Sequence, residues 1–158
     1  TRDTLSKVLF ILFTVSVNIN SVKLSNPCNA PLIWIVQLYV DDAQIAVLDT
    51  TVNHMPEVLE FRYKPDVIGQ QDDGRFQYIL VGSTCLSGDV FGSYKFESPL
   101  ELGSKVIFEE AGAYALVKAH RFNGVNLPTI CSINSDGLIT VRKQYTFQDF
   151  AEQWLPNA

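Results

Sequence analysis

The sequence predicts a mostly β domain, a Greek-key-like β-barrel or sandwich finished by one C-terminal helix. Short apolar runs rich in β-branched and aromatic residues recur from residue 44 onward, and Gly, Pro, Asn and Asp punctuate them about every ten to fifteen residues. Helical periodicity is confined to the last stretch of the chain.

In chain order the expected strands are Ile45 to Asp49 (IAVLD), Phe76 to Val81 (FQYILV), Lys105 to Glu109 (KVIFE) and Ala113 to Val117 (AYALV). Between the first two, HMPEVLEFRYKPD holds Pro56 and Pro65, which break any regular element, so a structured excursion with a short piece around Glu57 to Tyr63 is expected. SINSDGLITV, residues 132–141, sets an Asp-Gly pair between two apolar segments, a hairpin signal. In TFQDFAEQWL, residues 146–155, Thr146 can cap a helix with Asp149 three residues on. Phe147, Phe150, Ala151, Trp154 and Leu155 follow at helical spacing, and Pro156 stops the run.

At 158 residues the chain has the length of one ordinary domain. The formal charge is −5, from 12 basic and 17 acidic residues, and the basic residues are scattered. That distribution speaks against a nucleic-acid partner, which needs a concentrated positive face. Three cysteines, Cys28, Cys85 and Cys131, lack metal-site spacing and cannot all pair within the chain, so a reducing, cytoplasmic compartment is expected. With two histidines, His54 and His120, no metal site is expected.

Composition divides the chain into a divergent apolar segment, residues 1–40, and a β-domain, residues 41–158. The run VLFILFTVSV, residues 8–17, is too short for the roughly 20 residues of a membrane-spanning helix, and no membrane partner is expected. It reads as the core of a signal peptide, as a strand or helix buried by the rest of the fold, or as sequence alien to the domain that follows.

Several residues can carry chemistry. Cys85 in STCLSGDVFGSY lies in a Gly-flanked loop after a strand, where a thiol can be exposed and act as an acid or nucleophile; the alternative is a small hydrophobe filling a gap. Asp89 can take a substrate amine or bond the backbone of its own turn. Tyr114, after Glu109, Glu110 and AGA, offers a phenol to a phosphate or carboxylate oxygen, or serves as a core tyrosine. His54 either orients a substrate carboxylate or is structural. No G-x-S-x-G elbow, P-loop or dinucleotide fingerprint is present.

The order of these features is more specific than any one of them. IAVLDTT and HMPEVLEFRYKPD, then STCLSGDVFGSYKF, then LELGSKVIFEEAGAYALVKAHRFNG with Pro128 following, resembles the C-terminal β-domain of the carboxynorspermidine (carboxyspermidine) decarboxylases. These belong to the alanine racemase-like, fold-type III decarboxylases that use pyridoxal 5′-phosphate (PLP). The likeness runs from about Gln44 to Lys143.

The resemblance implies a polyamine carboxylate substrate and a homodimer with shared sites. In the family the loop cysteine enters the partner subunit's site and protonates the carbanion left by decarboxylation, and Cys85 holds that position. Tyr114 matches the tyrosine that contacts the cofactor phosphate. Asp89 matches the aspartate that closes the loop motif and suits a polyamine ammonium, Asp49 lies about where relatives place a substrate-facing acid, and His54 is set nearby. Leu86 stands where diaminopimelate decarboxylases carry a glutamate, which implies a different substrate.

The family's (β/α)₈ barrel, with its Schiff-base lysine, precedes this region, and 158 residues leave no room for it. Lys105 and Lys118 match no such lysine. The expectation is a truncated gene product that neither binds PLP covalently nor acts alone. The alternatives are a non-catalytic fragment that associates with and regulates a full-length decarboxylase, or a secreted β-sandwich binding module. Norspermidine and spermidine both remain open as products.

Overall fold

The computed structural model describes residues 44–155. The expectations for residues 1–40 and for the helix stop at Pro156 lie outside the described residues.

Three strands form a mixed sheet in the order β1-β2-β3: β1 Gln44–Val47, β2 Phe76–Val81 and β3 Val90–Phe96. β1 runs parallel to β2, pairing Gln44 with Tyr78 through Val47 with Val81. A parallel pair cannot be joined by a tight turn, which explains the long excursion between them. That excursion holds a 3₁₀ turn, Val52–His54, and the short helix α1, Glu57–Glu60.

β2 and β3 pair antiparallel, with one irregularity that decides which side chains enter the core. Leu80 pairs with Gly92 and Val81 with Val90, so Phe91 is an extra residue on β3. Side chains alternate along a strand, and Phe91 and Tyr94 would face opposite ways without that insertion. With it, Phe91, Tyr94 and Phe96 all bury on one side, facing Tyr78 and Leu80 of β2. The bulge also puts Gly92 at φ 141°, a backbone region that glycine enters without strain. The sequence reading of GDVFGSY as loop missed β3 because Gly92 hides the alternation of its inward residues.

The core formed on this face includes Ala46, Leu48, Val52, Tyr78, Leu80, Phe91, Val106 and Phe108. Phe91 and Phe108 stack with ring centroids 4.9 Å apart. Tyr94, almost wholly buried, donates its hydroxyl to the Pro65 carbonyl at 2.7 Å and ties the excursion to β3.

Two expected strands need correction. Lys105 to Glu109 is extended, with Val106 and Phe108 buried, but it pairs only locally with the excursion through Val67 and Phe108. Ala113 to Val117 is not a strand: it lies in helix α2, Gly112–Lys118. Short apolar runs do not separate helix from strand by periodicity, and Ala111, Ala113 and Ala115 carry the helix preference that was missed.

The hairpin is formed by β4, Ile130–Ile133, and β5, Ile139–Lys143. Its loop is organised by the Asn134 side chain, which accepts from the Asp136 and Leu138 amides at 3.0 and 2.8 Å. Helix α3, Phe147–Ala151, has the expected capping box: the Thr146 amide donates to Asp149 at 2.7 Å, and the Asp149 amide returns a bond to the Thr146 hydroxyl. The Thr146 hydroxyl, then its amide, hold the Asp149 carboxyl down at about 2. The mostly β reading with a closing helix therefore stands, although the described strands form an open sheet and a separate hairpin.

Tyr94→Phe removes the donor to a buried carbonyl and keeps the ring. The change should destabilise the domain by about 1–2 kcal/mol, read as a lower urea midpoint at unchanged m-value. An unchanged midpoint would show that the Pro65 contact adds nothing.

Candidate functional site

The loop from Gly82 to Asp89 joins β2 to β3 and is pinned at the C-terminal end of β1. Ser83 N donates to the Thr50 carbonyl at 2.9 Å, and Gly82 N donates to the Asp89 carbonyl at 2.8 Å. Asp89 itself is buried. One carboxylate oxygen accepts from Val52 N at 2.8 Å and the Thr51 hydroxyl at 3.1 Å. The other accepts from Thr84 N at 3.1 Å and the Thr84 hydroxyl at 2.5 Å.

A buried carboxylate is costly unless donors surround it, and here four do. The sequence left Asp89 either a substrate ammonium or the backbone of its own turn. In the structure this chain's own donors, the Thr84 amide of that turn among them, enclose its carboxylate, which frames the loop. Gly82 is part of the same arrangement, since a Cβ there would sit 2.1 Å from Asp89 Oδ1.

Cys85 is exposed on this framed loop and forms no disulfide among the described residues. The gap-filling alternative is therefore set aside. Asp49, at the end of β1, is also exposed, yet neighbouring protein displaces enough water to raise its carboxyl above the ordinary value. His54 is buried, with Nδ1 2.9 Å from the Thr50 hydroxyl. Burial pushes its pKa down to about 4; the Asn126 backbone and the Asp89 carboxylate pull upward, and His120 adds to the depression. A neutral, enclosed imidazole of this kind is suited to holding the 3₁₀ turn in place.

Thr50 and Thr51 thus gather the loop, Asp89 and His54 around one strand end. Sequence reasoning missed both threonines, and Thr84; the Thr-Thr pair closing an apolar strand was the available signal.

Tyr114 stands apart, exposed on α2. It borders a cleft of about 280 Å³ between α1 and the start of α2, lined also by Met55, Glu57, Phe61, Tyr63 and Glu110. No residue of the Cys85 loop lines this cleft, so within one chain the thiol and the phenol serve separate places. Asn53 ties the 3₁₀ turn to the segment after α2: its carbonyl accepts from His120 N at 3.1 Å, and its side-chain amide donates to the Phe122 carbonyl at 3.3 Å. Among the described residues no group of three or more His, Cys, Asp or Glu could hold a metal, and no helix is long and apolar enough to cross a membrane.

An exposed loop cysteine beside a three-stranded sheet, followed by a Gly-Ala-Tyr helix, places this fold among the sheet domains of pyridoxal-dependent decarboxylases. Residues 12–112 match the family described as pyridoxal-dependent decarboxylase, C-terminal sheet domain, and the chain belongs to it.

Among particular relatives it is 33% identical over 117 residues to the carboxynorspermidine/carboxyspermidine decarboxylase of Herminiimonas arsenicoxydans, covering 73% of this chain and 32% of that one. It is 38% identical over 108 residues to the carboxyaminopropylagmatine decarboxylase of Synechocystis sp., covering 66% of this chain and 28% of the relative. The crystal structure of carboxynorspermidine decarboxylase with norspermidine from Campylobacter jejuni superposes with a TM-score of 0.66 at 28% identity, over 75% of this chain and 36% of that one. A diaminopimelate decarboxylase, at 16% identity and a TM-score of 0.63, shows the shared fold. The chain spans about a third of the length of the curated relatives it matches.

The family uses PLP, and the cleft beside Tyr114 tests what this chain can offer it. The lining holds two exposed phenols, Tyr63 and Tyr114, and two carboxylates, with no lysine or arginine to meet a phosphate. The described residues therefore fit an edge contact through the Tyr114 hydroxyl, and the cleft itself does not fit a phosphate.

His54 makes the domain sensitive to acid. Its folded pKa of about 4 lies below the ordinary 6.5, so the unfolded chain takes a proton there before the folded one does. The His54 contribution is complete above pH 6.5 and is lost as pH falls toward 4. The loss should amount to on the order of 2–3 kcal/mol. Urea midpoints of the wild type and of His54→Gln across this window should show the shallower slope in the variant; parallel slopes would assign the acid loss to other groups.

Proposed function

We propose that this chain supplies the sheet-domain half of a PLP-dependent decarboxylase of polyamine synthesis, one that releases CO₂ from carboxynorspermidine, carboxyspermidine or a similar carboxylated polyamine. The observation that carries the reading is the exposed Cys85 thiol on a loop clamped by Asp89, in a domain whose curated relatives are decarboxylases of carboxylated polyamines. Leu86 next to the thiol leaves that position apolar, which suits a substrate without a distal amino-acid end.

When bound, PLP supplies the electron sink for loss of CO₂. Cys85 holds a proton on its sulfur and delivers it to the substrate carbon that has lost the carboxylate; the loop clamp fixes where that sulfur stands. Tyr114 gives its hydroxyl to the cofactor phosphate from the rim of α2. Asp49, with its carboxyl raised by partial burial, faces the substrate from the end of β1, and His54 beneath it positions this end of the strand. Cys85 and Tyr114 do not meet in one chain, which supports a site completed by two polypeptides: a homodimer, or association with a barrel-bearing decarboxylase subunit. The free thiols Cys85 and Cys131 suit a cytoplasmic setting.

The whole 158-residue chain, fused behind the barrel of the Campylobacter relative in place of that enzyme's own sheet domain, provides the test. The fusion should form norspermidine, and Cys85→Ala should slow turnover by about 10²-fold or more, the range of a lost general acid. Unchanged turnover in Cys85→Ala would remove the thiol from the reaction.

A further inference from the structure

Cys85 is the exposed residue between two anchored neighbours. On one side the Thr84 hydroxyl donates to Asp89 Oδ2 at 2.5 Å, and the Thr84 amide donates to the same oxygen at 3.1 Å. On the other side Leu86 is half-buried and packs against the hydrophobic core. A third bond spans the cysteine: Leu86 N donates to the Thr84 hydroxyl oxygen at 3.3 Å. The Asp89 amide then closes the turn on the Leu86 carbonyl at 3.1 Å.

A hydroxyl carries one proton and two lone pairs, so the Thr84 oxygen gives to Asp89 and receives from Leu86 together. A bond from a Ser or Thr side chain to the amide two residues on fixes the backbone of the residue between. Among the described residues Cys85 makes no backbone–backbone hydrogen bond of its own. Its backbone is therefore held through its two neighbours, and the Thr84 hydroxyl is the atom that joins them across it.

We propose that Thr84 is a positioning residue for the Cys85 thiol: its hydroxyl, anchored on Asp89 and bonded across the cysteine to Leu86, sets the face from which the proton reaches the substrate carbon. The proposal rests on the proton-donor reading above. In that step the S–H bond breaks as a C–H bond forms on the electron pair that CO₂ leaves behind, and the thiolate regains a proton from water. The carbon ends with two hydrogens, so a deuterium delivered in D₂O makes it chiral and records the face of delivery. A thiol held in one place serves one face, whereas a shifted loop admits solvent protons from both.

The fusion that carries the whole chain behind the Campylobacter barrel, run in D₂O, tests the role. Wild-type product should be deuterated on one face only. Thr84→Val keeps the branched shape and removes the hydroxyl; its product should be deuterated on both faces, with kcat lowered about tenfold or more and KM within about twofold. Thr84→Ser restores the hydroxyl and should return the one-face product. Tyr94→Phe, which lowers stability elsewhere in the domain, should also keep it, and so separates positioning from stability. One-face product from Thr84→Val, at whatever rate, would overturn the proposal. Amide relaxation of the ¹⁵N-labelled full chain gives a reading independent of turnover. The Cys85 order parameter should stay near about 0.85 in the wild type and Thr84→Ser and fall below about 0.6 in Thr84→Val, with Tyr78 and Tyr94 unchanged. An unchanged Cys85 value in Thr84→Val would overturn the proposal as well. One-face product at the wild-type rate from Cys85→Ala would instead remove the thiol from the reaction, and the order parameter would still decide whether Thr84 holds the loop.

Discussion

A single buried carboxylate ties the turn after β1 to the loop between β2 and β3. Asp89 collects the Val52 amide and Thr51 hydroxyl from the end of β1, and the Thr84 amide and hydroxyl from its own loop. Those donors are 38 to 5 residues away in sequence, so the interaction closes a long-range contact and a local turn together. Charge-assisted bonds of this kind are among the stronger polar contacts, and removing the acceptor would leave several donors buried without a partner. The exposed Cys85 owes its fixed position to a carboxylate that it does not touch.

The bulge in β3 is the second constraint. It turns Phe91 to the same side as Tyr94 and Phe96, which fills the core below the sheet and lets Tyr94 reach the Pro65 carbonyl. The excursion held in this way carries α1 and therefore one wall of the acidic cleft. The other wall lies at the start of α2, and the segment after that helix is fastened through Asn53 to the 3₁₀ turn that also contains His54. Loop and cleft thus share one scaffold at the end of β1 while presenting different side chains: an exposed thiol at one, carboxylates among aromatic rings at the other.

Much of the fold was legible because local signals agreed with the global structure. The run FQYILV alternates inward Tyr78 and Leu80, the Thr146 and Asp149 pair caps a helix where it should, and the Asp-Gly hairpin forms. The errors lie where local and tertiary signals part: Gly92 made a strand look like a loop, and AYALV could serve helix or strand until packing buried only Ala115. Among the candidate site residues, the loop cysteine was singled out by its order before AGAY and FNG. The burial of Asp89 was not legible, since its partners Thr51 and Val52 lie far away in sequence and no spacing rule connects them. Glu57, Phe61 and Tyr63 were equally hidden, because they line one cleft with Glu110 only through the tertiary fold, about fifty residues apart in sequence.

Amide hydrogen exchange in Asp89→Asn, compared with the wild type, tests the central claim that this carboxylate frames the loop. The variant should lose protection by about ten- to a hundredfold at the Val52 and Thr84 amides, and across Ser83 to Gly88, while the paired amides of Tyr78 and Tyr94 keep theirs. Protection at Val52 and Thr84 that stays at the wild-type level would contradict the claim, and would leave the loop to be held by its backbone contacts to Thr50 alone.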